Sequence, residues 1–241
     1  MADSVMTYRL VVKEIALKNG VYATFMPKPM AGENGSGMHV NISLFKGERN
    51  AFFDPADPTG LSQDAKHFLA GILKHVREFT AVTNQWVNSY KRLTPGFEAP
   101  VYVTWALTNR ADLVRIPRAK VGKESACRLE LRSPDPACNP YLAFSVILAA
   151  GLDGLKTKAP LPPAAETNVA SLSEAERRKL GIQALPRSLG EAIEVAQSSV
   201  LLRECLGEHI FTSFLKNKRL EWERYCSTVT DYELKTYLPL L

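Results

Sequence analysis

The chain has 241 residues, of which 46% are hydrophobic, so it can bury the core of one large domain or of two small ones. Its net charge of +5 suggests anionic partners, but the charged residues are interspersed rather than gathered into basic runs, which argues against nucleic acid and for local anion sites. The four cysteines lack C-x-x-C spacing, so we expect reduced thiols in a cytoplasmic protein. No apolar run approaches the roughly 20 residues of a membrane span, so we expect no membrane partner.

The first predicted elements are a helix and two strands. Apolar residues at helical spacing from Val5 to Ala16, followed by the stop signal Asn19-Gly20, predict an N-terminal helix. The segments 21–30 and 39–47 have strand-like composition, and the glycine-rich segment 31–38 lies between them. We therefore expect two paired strands joined by a glycine-rich loop.

The middle of the chain predicts one helix, one long loop and three strands. Residues 62–81 have the apolar spacing of an amphipathic helix. Residues 83–100 are rich in turn residues yet also aromatic and charged, which is typical of a functional loop. The segments 99–110, 112–118 and 125–133 predict three strands, which we expect to be antiparallel neighbours.

The last third of the chain is predicted to be helical. Asn139 supplies an N-cap and Pro140 a first-turn proline for a helix over 141–155 that is apolar on nearly every side and should be buried. A proline-rich surface connection, 157–168, follows. Helical spacing then predicts helices over 171–187, 189–199 and 206–225. The predicted fold class is α+β, with the strands early and the helices late.

Two segments place polar groups on strands. Strand side chains alternate faces, so Arg128, Glu130 and Arg132 should share one face while the leucines between them share the other. Such a row suits either a solvated face or a cavity that binds anions and a metal ion. His39 and Asn41 should likewise share a face after the glycine-rich loop, although a plain hairpin would use the same residues.

A turn and a set of arginines add to these groups. Pro95-Gly96 forces a turn that presents Glu98 near Arg92, as a lid would present a base, although a surface turn with an incidental ion pair is an alternative. Several arginines on neighbouring strands would repel one another unless an anion, such as a triphosphate or a carboxylate, lay between them. These arginines are Arg110, Arg115, Arg118, Arg128 and Arg132.

The stretches MPKP, NGSGMHV, NSYKRLTPGFEAP, NR followed by RIP, and RLELRSPDPACNPYLAF, in this order, closely resemble the catalytic domain of glutamine synthetase and the related γ-glutamyl amine ligases. The resemblance covers almost the whole chain. It implies an antiparallel sheet lined with polar residues and backed by helices. It also implies that ATP phosphorylates the side-chain carboxylate of glutamate, that ammonia or an amine attacks the γ-glutamyl phosphate, and that Mg²⁺ or Mn²⁺ neutralises the phosphates.

The resemblance also implies roles for individual residues. The implied metal ligands are His39 and Glu130, and the implied catalytic residues are Glu98, as the acid of the lid, and Arg110, on the phosphoryl oxygens. The residues implied to hold glutamate are Asn34, Gly35, Arg92 and Arg132. The residues implied to lie at the nucleotide are Ser43, Arg115 and Arg128.

The chain departs from the family pattern in three ways. It begins after the N-terminal β-grasp domain and after the strands that carry most acidic metal ligands, so we expect residues 1–241 to be the C-terminal part of the catalytic domain. His39 and Glu130 alone cannot complete the coordination sphere of a magnesium ion, so we expect this portion of the protein to be inactive on its own. Asn41 stands where many members have a second histidine, which weakly favours a relative of the ammonia enzyme. Ala170 stands where some bacterial members have an adenylylated tyrosine, so that regulation should be absent.

Three functions are compatible with these residues. The first is an ATP-dependent ligase of glutamate with ammonia or an amine, which forms a homo-oligomer when full-length. The second is a non-catalytic family member with an assembly or interaction role, although such a protein has no physical need for costly buried charges. The third is a general nucleotide-binding module, which explains the arginines but not Glu98 on its turn.

Overall fold

The computed structural model describes residues 1–109, 111–117 and 122–241. Its helices are α1 (Ala2–Lys18), α2 (Gln63–Thr83), α3 (Val87–Arg92), α4 (Pro140–Thr157), α5 (Glu174–Lys179), α6 (Leu189–Gln197), α7 (Val200–Cys226) and α8 (Asp231–Tyr237). Its strands are β1 (Val40–Ile42), β2 (Phe45–Lys46), β3 (Arg49–Asn50), β4 (Trp105–Ala106), β5 (Val114–Arg115) and β6 (Leu129–Leu131). Short 3₁₀ turns cover Glu124–Ala126 and Val169–Ser171. The α+β class is confirmed.

The main sheet has four short strands in the order β1-β6-β5-β4. β6 pairs antiparallel with both β1 and β5, as predicted for β5 and β6. The expectation that all three middle strands are antiparallel is wrong, because β4 runs parallel to β5. The amides of Val114 and Ile116 donate to the carbonyls of Thr104 and Ala106, at 3.1 and 3.0 Å. β2 and β3 form a separate two-stranded ribbon.

The predicted strand over 21–30 is wrong. Among the described residues this segment has no ladder partner, and the large side chains of Val21, Tyr22, Met26 and Met30 are exposed. Strand-like composition does not produce a strand unless a neighbouring strand accepts its backbone hydrogen bonds. The glycine-rich segment therefore does not join a hairpin.

Two other expectations need correction in the helical regions. The loop predicted over 83–100 contains helix α3, whose side chains Ser89, Tyr90 and Arg92 are buried. The helix predicted over 171–187 ends at Lys179, because Gly181 has a positive φ of 68° and the following backbone pairs with another segment. The amide of Leu185 donates a hydrogen bond to the carbonyl of Val101, and the amide of Val103 donates one to the carbonyl of Gln183, each at 2.8 Å.

The hydrophobic core lies between the sheet and helices α2, α4, α6 and α7. α2 and α4 cross so closely that a Cβ atom at Gly71 would collide with the carbonyl of Ala150, and one at Gly154 with the carbonyl of His67. α4 is capped as predicted, since the side chain of Asn139 accepts from the amides at its first turn. It is not buried on all sides, because Leu148 and Leu152 are exposed. Within the described part of the chain, we find no helix with the length and apolar character of a membrane span.

Candidate active site

The side chains of β6 alternate between the core and a polar site. Leu129 and Leu131 are fully buried in the core, whereas Glu130 and Arg132 lie on the opposite face and are 6% and 5% exposed. Asn41 of β1 pairs with Glu130 from one side, and Arg115 of β5 pairs with it from the other. The sheet register therefore places the carboxylate of Glu130 between the amide-bearing Asn41 and the guanidinium-bearing Arg115.

Glu130 is held by three side chains. Its Oε2 atom lies 2.5 Å from Nε of Arg115, and its Oε1 atom lies 3.2 Å from Nη1 of Arg132 and 3.1 Å from Nδ1 of His39. Burial alone would raise the pKa of Glu130, but the hydrogen bond from Arg115 and the positive charges of Arg132 and Arg115 outweigh it and lower that pKa. The carboxylate is therefore ionised at neutral pH.

His39 is neutral at the same pH. Burial lowers the pKa of His39, the positive charge of Arg132 lowers it further, and the carboxylate of Glu130 only partly opposes them. With Nδ1–H donating to Glu130, the ring keeps a lone pair on Nε2. A carboxylate that orients a neutral imidazole in this way is common beside metal ions.

The glycine-rich loop packs directly on Arg92. A Cβ atom at Gly37 would lie 2.5 Å from Nη2 of Arg92, and one at Gly35 would lie 2.9 Å from its Cγ. The amides of Ser36 and Met38 donate to the carbonyls of Pro27 and Pro134, each at 2.8 Å. These two amides are thus used within the protein and are not available to a ligand. The glycines allow the close approach.

Arg92 ties the glycine-rich loop to the end of β6. Its guanidinium is buried and donates from Nη1 to the carbonyl of Ser133, at 2.6 Å, and from Nη2 to the carbonyl of Arg132, at 3.0 Å. Burial lowers the pKa of Arg92 to about 10, although the carboxylate of Asp135 opposes that effect. Arg92 therefore serves first as a structural clamp, and its pairing with a substrate carboxylate stays a prediction.

A cavity of about 180 Å³ lies where these groups meet. The turn that carries Glu98 forms one wall, and Gly96 in that turn has a φ of 91°, which favours glycine. The ammonium of Lys28 lies 3.4 Å from the centre of the Phe97 ring and steadies the turn. The lining residues are Asn34, Gly35, Gly37, His39, Arg92, Phe97, Glu98, Ala99 and Arg132.

The cavity brings together six of the residues implied by the sequence resemblance: Asn34, Gly35, His39, Arg92, Glu98 and Arg132. Glu130 contacts two of them. Arg115 reaches the site through Glu130, whereas Arg128 donates from Nε to Oδ1 of Asn41, at 2.9 Å. Ser43 is exposed just after β1 and does not line the cavity. Arg110 and Arg118 lie outside the described residues.

The sequence reasoning missed the residues that support Arg92. Asp135 is fully buried, and its Oδ2 atom accepts a hydrogen bond from Nδ2 of Asn84, at 3.0 Å. Its negative charge stabilises the buried positive charge of Arg92. The amide group of Asn84 also donates to the carbonyl of Ser133, at 2.8 Å. The available signal was an aspartate between two prolines directly after a charged strand. Gly37 and Phe97 were likewise not expected to line the cavity.

The donor set for a divalent metal ion is incomplete in the described chain. Across residues 1–109, 111–117 and 122–241, no group of three or more His, Cys, Asp or Glu side chains is placed to hold a metal ion. His39 and Glu130 supply two adjacent donors, and Glu130 is already paired with two arginines. Mg²⁺ requires near-octahedral oxygen coordination, so these residues can be only part of its sphere.

Comparison with known proteins decides the family. Residues 1–237 match the family model of the glutamine synthetase catalytic domain. The chain belongs to the glutamine synthetase family. It is 58% identical over 240 residues to a glutamine synthetase of Mycolicibacterium smegmatis and 52% identical over 240 residues to one of Methanosarcina mazei. All of this chain is covered, but only 54% and 53% of those relatives, so the chain spans about half the length of the curated relatives it matches.

Solved structures agree with the family assignment. A GmaS structure without ligand superposes with a TM-score of 0.85 at 38% identity, covering 98% of this chain and 53% of that one. A GmaS complex with ADP superposes with a TM-score of 0.88 at 37% identity, covering 99% and 54%. The glutamine-synthetase-type architecture expected from the sequence motifs is thereby confirmed.

Proposed function

We propose that this chain carries the ATP-dependent ligase chemistry of the glutamine synthetase family, joining the γ-carboxylate of glutamate to ammonia or an amine. The observation that carries the proposal is the cavity of about 180 Å³ that joins the glycine-rich loop, the Glu98 turn and the charged face of β6. The relatives named glutamine synthetase and the ADP-bound GmaS structure support it.

Glutamate is assigned to this cavity. Arg132 is its strongest anchor, because this residue lines the cavity and a guanidinium can form two parallel hydrogen bonds with a carboxylate. Arg92 contributes positive charge, since backbone carbonyls already accept from both of its terminal nitrogens. Asn34 and Gly35 would contact the substrate from the glycine-rich loop.

ATP is assigned to the face beyond Glu130. Arg115 and Arg128 now hold Glu130 and Asn41, so binding of phosphates would require the two guanidiniums to share or exchange these partners. Ser43 is exposed on the same strand side as His39 and Asn41 and would lie near the nucleotide. Arg110 is assigned to the phosphoryl oxygens from the sequence resemblance alone.

A divalent metal ion, Mg²⁺ or Mn²⁺, would supply positive charge that offsets the charge of the phosphates. His39 and Glu130 would provide two of its ligands. The remaining ligands would be phosphate oxygens, water or protein groups outside the described residues. Because two side chains do not fix such an ion, we expect turnover to require these further groups.

The proposed reaction has two steps. An oxygen of the glutamate γ-carboxylate attacks the terminal phosphorus of ATP, and ADP leaves with the bonding electrons. The nitrogen of ammonia or an amine then attacks the acyl carbon, phosphate leaves, and the nitrogen loses a proton. Glu98 is exposed at the cavity wall, on the turn that contains Gly96, and we assign it as the acceptor of that proton.

Three further expectations concern the whole protein. Residues 1–241 would form the C-terminal portion of the catalytic domain, and the full-length protein would be a homo-oligomer in which neighbouring subunits complete the site. The protein would act in the cytoplasm. Each of these rests on the family resemblance.

Glutamate binding tests the assignment of the cavity. We expect L-glutamate to bind saturably in calorimetric titrations with ADP and MgCl₂ present, and Arg132→Lys to weaken that binding at least about tenfold, because lysine cannot form the two parallel bonds. Arg187→Lys, at an exposed position far along the chain, is the matched control and should bind as the parent does. Equal affinity in Arg132→Lys and the parent, with both folded by circular dichroism, would remove glutamate from this cavity.

A further inference from the structure

A buried asparagine contacts the segment of chain that leads into β6. Asn50 is the second residue of β3 and is 5% exposed. Its Nδ2 atom lies 2.8 Å from the carbonyl oxygen of Cys127, 3.0 Å from that of Ser125 and 3.4 Å from that of Glu124. Its Oδ1 atom accepts a hydrogen bond from the amide of Phe52, at 2.9 Å. Both polar atoms of the side chain are therefore engaged by backbone groups.

These contacts fix a turn. The three carbonyls belong to the 3₁₀ turn Glu124–Ala126 and to Cys127, the residue that follows it. One carboxamide thus ties this turn to the two-stranded ribbon of β2 and β3. An aspartate at position 50 would have no hydrogen to donate and would turn a negative charge toward three carbonyl oxygens. The position therefore requires a neutral donor of this length.

The turn in its place holds Arg128. The carbonyl of Ala126, the last residue of the turn, accepts a hydrogen bond from Nη1 of Arg128, at 3.2 Å. The Nε atom of Arg128 donates to Oδ1 of Asn41 on β1, at 2.9 Å. A guanidinium has five N–H donors, so these two bonds leave it able to bind an anion. One of its two supports is a carbonyl of the turn that Asn50 fixes.

We propose that Asn50 is a positioning residue for the nucleotide: it fixes the turn Glu124–Ala126, and the turn directs the guanidinium of Arg128 toward the phosphates of ATP. The inference rests on the proposed function, which assigns Arg128 to those phosphates. Asn50 itself does not touch the ligand, because its polar atoms are buried and bound to the backbone. Since its effect passes through an arginine, it concerns the phosphates of the nucleotide and not the base.

The thiol of Cys127 reports on the turn without any ligand. Cys127 is 5% exposed, and its Sγ atom lies 3.6 Å from the carbonyl oxygen of Phe52 and 3.8 Å from that of Gly60. In Asn50→Asp we expect iodoacetamide to label Cys127 at least about tenfold faster than in the parent at pH 8, as measured by mass spectrometry of its peptide. Labelling of Cys138, which is fully buried elsewhere, should not change.

Calorimetric titration in the presence of MgCl₂ measures the effect on binding. We expect Asn50→Asp to weaken the binding of ATP and of inorganic tripolyphosphate at least about fivefold and by equal factors, because both ligands present phosphates to Arg128. Asn19→Asp is the matched control. It adds the same negative charge and removes an amide that donates to a backbone carbonyl, that of Ile15 at 2.8 Å, but at an exposed position. This control should bind both ligands as the parent does.

A double variant distinguishes positioning from a general loosening of the fold. Arg128→Met should itself weaken the binding of both ligands. In the Arg128→Met background, Asn50→Asp should weaken binding by less than about a further twofold, because the arginine through which it acts is absent. If Asn50→Asp melts too early to be titrated, Asn50→Ser takes its place in the same comparison, since it is neutral but too short to reach the three carbonyls.

The outcomes separate this inference from the proposed function. Unchanged labelling of Cys127, unchanged affinity in Asn50→Asp, or an equal loss with and without the Arg128 side chain would overturn the positioning role while ATP binding by the parent stands. A loss seen with ATP but not with tripolyphosphate would overturn it as well, because Asn50 would then act on the base. A parent that binds neither ligand would instead overturn the nucleotide assignment and leave Asn50 as a residue that only stabilises the turn.

Discussion

At the scale of single residues, Arg92 and Glu130 show how burial decides what a charge does. Glu130 is buried, but Arg115, Arg132 and His39 contact its carboxylate, and the pKa of Glu130 is lowered despite the burial. Arg92 is buried and donates its hydrogen bonds to backbone carbonyls, and burial lowers its pKa to about 10. The first arrangement is a set of ion pairs that can rearrange when a ligand binds. The second is a clamp that positions the glycine-rich loop.

The clamp role of Arg92 makes a prediction about stability. Arg92→Lys cannot reach the carbonyls of Arg132 and Ser133 together, so at least one of these two buried hydrogen bonds should be lost. We expect the free energy of unfolding to fall by about 1–3 kcal/mol, measured by urea denaturation at pH 7. Arg187→Lys, at an exposed site, is the control and should change it by less than about 0.5 kcal/mol. An unchanged midpoint in Arg92→Lys would show that the clamp does not stabilise the fold.

At the scale of elements, a histidine connects three helices away from the candidate site. His75 of α2 lies 2.9 Å from a carboxylate oxygen of Glu78 on the same helix and 2.8 Å from one of Asp153 on α4. Glu78 in turn accepts from the hydroxyl of Ser199, the N-cap of α7. Lys74 also pairs with Asp153, at 2.9 Å. Only the doubly protonated imidazolium can donate to both carboxylates.

This cluster predicts a pH dependence of stability. Burial alone would lower the pKa of His75, but the hydrogen bonds to Glu78 and Asp153 outweigh it and raise that pKa. The imidazolium should therefore stabilise the fold fully below pH 6.5, and this contribution should be lost as the pH rises through the raised pKa. We expect His75→Gln to lower the free energy of unfolding by about 1 kcal/mol more at pH 5.5 than at pH 9.

The comparison of His75→Gln with His209→Gln isolates the effect, because His209 is exposed on α7. Chemical denaturation of both variants and the parent at several pH values is the measurement. A destabilisation of His75→Gln that does not change between pH 5.5 and 9 would mean that His75 acts by packing rather than by charge.

The elements also show what a sequence can predict. α2 and α4 were predicted because their apolar spacing is repeated over several turns and their caps, Ser62 and Asn139, carry accepting side chains. The strands were harder, since strands of two or three residues are defined by their partners rather than by their own composition. Pairing of 183–185 with 101–103 could not be inferred, because the spacing of apolar residues predicted a helix over 171–187.

At the scale of the whole molecule, much of the site was predictable from ordered motifs, but its internal partnerships were not. The motifs placed His39, Arg92, Glu98 and Arg132 at one site, and the structure gathers them around one cavity. That Arg92 is held by carbonyls depends on contacts between segments about 40 residues apart.

The proposed function requires the charged face of β6 to be a working part of a nucleotide-dependent ligase site. Calorimetric titration of ATP into the chain, with MgCl₂ or MnCl₂ and with or without L-glutamate, tests this requirement. We expect saturable binding that is lost, or weakened at least about tenfold, in both Glu130→Ala and Arg132→Ala, and that is kept in Glu194→Ala and Arg187→Ala at exposed positions. Absence of ATP binding under every metal condition, or binding that is unchanged in both β6 variants, would contradict it.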